Sequence, residues 1–499
     1  MQNNNIIHNN FNSKQLKLPL QLEVKIPFDS EVRTFDEVFR QLEIKKYLII
    51  DKDTRGRIGY NPVNMLKLIM FCQMEKIQSL RDMEKAARND IRIMWLTDEL
   101  IPSHQTIKTF MDKYLINGVN HIFYELTKYL IKKESIDTSK LYIDGTKIES
   151  VANKYTFVWR GSVEKFREKL YKKITKQIHI LNERYRLTDI CFEIYETYTI
   201  EYLASIKVFL ETEIEKESTL FKYGKGQRKT QLQRDYEHIE EYLDKLIEYK
   251  NHLDTMGKDR NSYSRTDKDA TFMHMKEDHM RNSQLKPGYN VQIGVSDEYI
   301  LHLDISSERN DYKTFIPFLE GFKTKYNFYP KYPVADSGYG GLTNYRYLKL
   351  NEMELYTKYN MYEKDTHDKK RMKDPYFPFN LVKQDNEYVA ANGDILKHLY
   401  RNNRGNDVYE LPNGKRKEIN DENLMYQKEV IENLKSPLGI EMRIQRSIQV
   451  EGAFGVIKEV FNMRRFRRKG TQNIRLEFYL TAIGYNLAKY HHKKYRIIQ

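Results

Sequence analysis

The apolar positions of this chain keep a helical period first, alternate like strands next, and return to a helical period at the end. In FDEVFRQLEIKKYL (35–48), Phe35, Val38, Phe39 and Leu42 fall 3, 1 and 3 residues apart, one face of a helix. A second stripe, Met65, Leu68, Ile69 and Cys72, is opened by Pro62. A third starts at Ser79, a suitable N-cap, with Asp82 and Glu84 in its first turn. In IPSHQTIKTFMDKYL (101–115), Ser103 is the expected cap and Ile107, Phe110 and Met111 form one face. Short helices with tight breaks are what a helix-turn-helix DNA-binding bundle shares with any other small helical bundle. In the first case 103–115 is the recognition helix, with Ser103, Gln105 and Lys108 as candidate DNA contacts.

The texture changes near 140. SKLYIDGTKIES alternates, with Leu141 and Ile143 on one face and Tyr142 and Asp144 on the other, and Gly145 is expected to end the strand. About a hundred residues of charge-dense helix follow. From Leu232 the apolar steps through Tyr236, Ile239, Leu243, Leu246 and Leu253 are 4, 3, 4, 3 and 7, a coiled-coil period expected to pair with a helix at 163–186. GYNVQIGVSDEYILHLDIS (288–306) reads as a hairpin turning at 296–298. A helix at 311–325, a strand around Val334 and a short strand at 355–359 come next, then polar residues to 435 and helix to the end. The fold class is α/β: a mixed-sheet core interrupted twice, after an all-α N-terminal part. The expected domains are a loosely ordered segment 1–30, a helical DNA-binding domain 31–135, and a catalytic domain 136–499 with a helical insertion at 160–258 and a second at 360–435.

Composition narrows the function. The 84 Lys and Arg against 70 Asp and Glu leave a net charge of +14, which favours an anionic partner, nucleic acid first. Two distant cysteines, Cys72 and Cys191, exclude a disulfide framework and a cysteine zinc site. No apolar run approaches the roughly 20 residues of a membrane span, and the N-terminus lacks the pattern of a secretory signal. A cytoplasmic protein with no membrane partner is expected.

Three carboxylates stand out. Asp144 sits within a strand, Asp336 ends a strand before Ser337–Gly338–Tyr339–Gly340, and Glu451 borders the helical core stripe Val450, Phe454, Ile457 and Phe461. A carboxylate beside an apolar stripe is costly unless it is paired or binds metal. Oxygen ligands suit hard cations such as Mg²⁺, and two such ions clamp the attacking and leaving oxygens of a phosphodiester substitution. Asp267 and Asp269 are a second acidic pair, expected to bind metal or to cap a turn. His274, His279, His491 and His492 are expected at the surface.

YIDGTKIES, SRTDKDATFMHMK leading to LKPGYNVQIGV, YPVADSGYGG and QRSIQVEGAFGVIKEVFNMRRFRRKG, in this order, resemble the bacterial insertion-sequence transposases of the DDE superfamily. The resemblance extends to the helices of 34–115 and to IRLEFYLTAIGYNLAKY near the end. It implies an RNase H-like catalytic core, two Mg²⁺ ions (Mn²⁺ as a substitute) held by Asp144, Asp336 and Glu451, and double-stranded DNA as partner, both transposon ends and target. It also implies a homodimer on DNA and an enzyme that cleaves DNA and transfers strands. A two-metal nuclease that cuts without joining, or a decayed copy that only binds DNA, are the competing readings. Related transposases carry a Y-x2-R-x3-E-x6-K signature around the glutamate. Lys458 matches it, while Ser447 and Ile444 stand at the arginine and tyrosine positions. Arg443 and Arg446 are the candidate substitutes, and a regular helix of about 100° per residue favours Arg443. Arg464, Arg465, Arg467 and Arg468, with no acid between 460 and 470, are expected to bind DNA phosphates, not structural carboxylates.

Overall fold

The computed structural model describes residues 22–48, 60–188, 190–224, 226–275, 280, 284–385 and 387–496. Most of the polar segment expected at 1–30 and His279 lie outside them. Two compact units divide the chain: Met1–Ile136 with Phe478–Gln499, and Asp137–Glu477. The closing segment therefore groups with the N-terminal helices and not, as the domain division at 136 expects, with the catalytic part. Among the described residues, no helix is long and apolar enough to cross a membrane.

The first unit is helical: α1 (Glu31–Gln41), α2 (Pro62–Met74), α3 (Leu80–Asn89), α4 (Ile91–Thr97), α5 (His104–Phe110) and α6 (Val119–Glu134). The side chains of Asn61, Ser79, Asp90 and Ser103 accept the exposed backbone N–H groups that open α2 to α5. Ile107, Phe110 and Met111 are buried as their spacing requires. The final segment brings Tyr479 edge-on to Phe123, with ring centroids 5.4 Å apart. It also seats His491, buried, with Nδ1 2.9 Å from Thr34 Oγ1. His491 is thus a core residue and not the surface group expected from its basic neighbours.

The second unit is built on β1 (Lys140–Glu149). After β2 (Phe157–Trp159) come α7 (Arg160–Arg184), α8 (Ile200–Lys216) and α9 (Gln231–Met256), and β3 (Ser262–Ser264) returns antiparallel to β2. Leu170, Ile174, Ile178 and Leu181 of α7 share one apolar cluster with Leu203, Ile206 and Leu210 of α8 and Leu232, Ile239 and Leu246 of α9. The seam of α9 packs with α7 as expected, and α8, capped by Thr199, is the third helix of the bundle.

The main sheet contains β4 (Thr271–His274), β5 (Leu285–Ser296), β6 (Tyr299–Ser306) and, after α10 (Phe315–Tyr326), β7 (Tyr332–Val334). β5 pairs antiparallel with β1, β4 and β6, and β1 pairs parallel with β7. Asp297 and Glu298, both at positive φ, make the tight turn between β5 and β6. Gly145 does not end β1. Its missing Cβ leaves room for the Gln292 side chain, whose Nε2 would lie 2.2 Å from a Cβ there. Residues 355–359 do not form a strand. They lie buried beside β7, where Thr357 donates its hydroxyl to the carbonyl of Pro333, a residue with no N–H to offer a ladder.

α11 (Leu342–Leu350), α12 (Tyr362–His367) and α13 (Lys369–Met372) lead into a five-stranded antiparallel meander: β8 (Val382–Gln384), β9 (Glu387–Val389), β10 (Ile395–Arg401), β11 (Asp407–Glu410) and β12 (Arg416–Ile419). Then follow α14 (Asp421–Lys435), α15 (Pro437–Arg446), a π-helical turn Ser447–Glu451, α16 (Gly452–Gly455), a second π-turn Val456–Val460, and α17 (Thr471–Arg496), which crosses the boundary between the units.

Candidate active site

Register alone brings the two aspartates together. Tyr142 of β1 pairs with Val334 of β7, so Asp144 and Asp336, each two residues further on, leave the same end of neighbouring parallel strands. The Gly145 N–H donates to Asp144 Oδ1 at 2.8 Å, and the Gly338 N–H to Asp336 Oδ1 at 2.8 Å. Glu451 closes the first π-turn. Its neighbour Val450 is buried, while its own side chain is 63% exposed and accepts a 2.9 Å hydrogen bond from Ser447 Oγ. All three carboxylates line one cleft of about 770 Å³, together with Asp311, Arg446, Lys458 and Arg464.

Burial first, and the nearby Asp336 second, push the Asp144 carboxyl up to about 6, against the pull of Arg446. Five acids, Asp144, Asp311, Asp336, Glu451 and Glu459, line the cleft with the four bases Lys147, Arg446, Lys458 and Arg464. Arg446 lies 3.3 Å from Asp144 Oδ2 and 3.8 Å from Glu451 Oε1. Among the described residues, no three acidic, histidine or cysteine side chains stand close enough to form a ready-made metal cage.

Of the two candidate substitutes, Arg446 and not Arg443 lines the cleft. A π-turn bonds residue i to i+5, so residues five apart come to lie on one face, and Arg446 is five before Glu451. The regular-helix angle that favoured Arg443 does not hold across this turn. Arg443 has a buried Nε without a hydrogen-bond partner among the described residues, and its charge acts on Tyr362 and Glu363. Ser447, at the arginine position of the related signature, holds Glu451 by its hydroxyl.

Asp311 was missed by sequence reasoning. Its Oδ1 accepts from Asn290 Nδ2 at 2.6 Å and from Gln292 Nε2 at 3.0 Å, and both amide side chains are fully buried. The Tyr339 hydroxyl donates to Gln292 Oε1. Burial, with Asp311, Asp144 and Asp336 nearby, holds that phenol protonated well beyond its ordinary range. The alternation of polar Asn290 and Gln292 within an otherwise apolar strand was the available signal.

Three of the four arginines after Glu451 pair with carboxylates, contrary to expectation. Arg464 pairs with Glu459, one residue before the acid-free window. Arg465 lies 3.7 Å from buried Glu149, and Arg467 lies 3.6 Å from Glu477. The Arg468 backbone N–H also donates to Glu477, and its guanidinium reaches Asn473. All three acids lie outside the 460–470 window, Glu459 by one residue and Glu149 and Glu477 further away along the chain. Asp267 and Asp269 cap the start of α17: Asp267 accepts from Ser150, Tyr289 and the Gly470 N–H, and Asp269 accepts the Thr471 N–H that opens α17. His274 is exposed, as expected. In the helical unit Ser103 is occupied in capping α5, Lys108 Nζ is 3.7 Å from Asp112, and Gln105 is exposed.

Residues 260–487 match the family described as "Transposase DDE domain", and residues 20–113 match the family described as "Transposase domain (DUF772)". No curated protein and no solved structure gives a significant match to the chain. Together the two family matches make the chain an insertion-sequence transposase of the DDE type.

Proposed function

We propose that this transposase binds the ends of its element through α5 and its neighbours, cuts the DNA in the cleft of Asp144, Asp336 and Glu451, and joins the freed 3′ end to target DNA. The convergence of these three carboxylates in one cleft, from positions 192 and 115 residues apart in sequence, carries the reading. The sheet supports an RNase H-like core, since β6, β5 and β1 run antiparallel and β7 is added parallel beside β1.

A cleft lined by the carboxylate oxygens of Asp144, Asp311, Asp336, Glu451 and Glu459 fits a hard divalent cation, Mg²⁺ or its substitute Mn²⁺. Asp144, Asp336 and Glu451 would hold two such ions, which supply Lewis-acid activation and charge neutralisation at the scissile phosphate. The chain's own groups do the rest. Arg446 and Lys458 present N–H donors along the cleft to phosphate oxygens. Ser447 fixes the Glu451 carboxylate, and the Gly145 and Gly338 amides fix the two aspartates. Gln105 and Lys108 are offered to the DNA groove, with the backbone of α5 anchored to α3 by the His104 N–H on Glu84 at 2.8 Å. Two element ends must be brought together, so the working form is at least a dimer on DNA.

The test is incubation of the protein and Mg²⁺ with a plasmid carrying the DNA that flanks the gene. Joined strand-transfer products are expected. Cuts without joining would replace this reading with a nuclease, and binding without cuts would replace it with a decayed copy.

A further inference from the structure

The three helices between β2 and β3 divide their charge unevenly. α7 holds eight Lys and Arg against three Glu, whereas α9 holds seven Asp and Glu against three basic residues. The acids of α9 are largely neutralised within the molecule. Asp235 pairs with Arg184, Glu237 with Lys229, Glu240 with Lys207, Glu241 with Lys245, and Glu248 with Arg265. The lysines of α7 are not. Lys165, Lys169, Lys172 and Lys176 are exposed and, among the described residues, have no carboxylate within ion-pair distance. Their steps of 4, 3 and 4 keep them within about 60° of arc on the helix face turned away from Ile174, Ile178 and Leu181. Lys173, beside them, acts on Glu241, which Lys245 already holds.

We infer that this lysine stripe on α7 is a second binding surface for the phosphate backbone of duplex DNA, separate from the catalytic cleft. The inference rests on the DNA-processing role proposed above. Four like charges on one face repel one another unless a polyanion lies across them. The stripe is about 16 Å long at 1.5 Å per residue. One DNA strand places about five phosphates along that length. The match requires no base contact, so the surface is indifferent to sequence. A second copy of the chain is the weaker candidate occupant, because most of the acids it would offer on α9 are already paired.

The experiment uses the full chain with all four lysines changed to Gln, and a second variant with all four changed to Arg. Both changes keep good helix formers at exposed positions. Binding to a duplex of arbitrary sequence and to a duplex of the flanking DNA is measured by fluorescence anisotropy over a range of salt, with sedimentation of the free protein alongside. The Gln variant should flatten the dependence of log K on log salt by about 3 to 4 units on both duplexes, and the Arg variant should retain the wild-type slope. An unchanged slope in the Gln variant would overturn the inference. So would an unchanged slope with lost self-association, which would assign the stripe to the second copy. Wild-type protein that binds neither duplex would instead overturn the proposed function itself.

Discussion

The Arg446 guanidinium lies 3.3 Å from Asp144 and 3.8 Å from Glu451, joining a strand and a helix that are 302 residues apart along the chain at that first contact. It does so because the turn between Arg446 and Glu451 is π-helical. Ser447 stands four residues before Glu451, and the π-turn brings Arg446, one residue earlier, to the acids instead.

Replacement of Arg446 by Ala should therefore slow DNA cleavage by about 10²-fold, the usual effect of removing one charged donor from a phosphate or oxyanion site. Replacement of Arg443 by Ala should slow it far less, because Arg443 does not line the cleft. Single-turnover cleavage of a supercoiled plasmid measures both. Equal losses would return Arg443 to the site.

The raised Asp144 carboxyl gives a pH dependence of definite sign. In the unfolded chain it loses its proton near 3.8, and in the folded protein at about 6. Between those values the folded state binds more protons, so stability falls as pH rises and levels off above about 6. The fall is at most about 3 kcal/mol. Urea unfolding of metal-free protein between about pH 4 and 7 should show it in the wild type and lose it in Asp144→Asn. Parallel curves for the two proteins would mean that Asp144 is not the group responsible.

Asp311 should matter for stability before it matters for chemistry. Its removal by Ala leaves the buried Asn290 amide without its acceptor, a cost of about 1–3 kcal/mol. Asp311→Asn keeps an acceptor oxygen and should recover most of the loss. Urea midpoints of the two variants test this, and an Ala variant as stable as the wild type would remove Asp311 from the network.

The carboxylates and the helical caps were legible in the sequence because each is set by its near neighbours. Ser79 and Ser103 cap the helices that their spacing announces. Asp144, Asp336 and Glu451 each stand at the border of an apolar pattern. What was not legible depends on contacts between distant residues or on a local departure from regular geometry. A period of 100° per residue cannot reveal the π-turn that selects Arg446 over Arg443. Glu149 and Glu477 reach Arg465 and Arg467 only after folding, so an acid-free window around the arginines was no sign of free charge. Asp311 opens a short 3-10 turn (Asp311–Lys313) at the start of the helix expected at 311–325, and only the buried Asn290 and Gln292 tie it to the site.

The central claim is that Asp144, Asp336 and Glu451 act together on DNA. The most direct measurement compares Mg²⁺-dependent cleavage of plasmid carrying the flanking DNA by the wild type and by Asp144→Asn, Asp336→Asn and Glu451→Gln, with DNA binding measured in parallel. Each single change should reduce cleavage to background while binding persists. Wild-type cleavage by any one of the three variants would contradict the account.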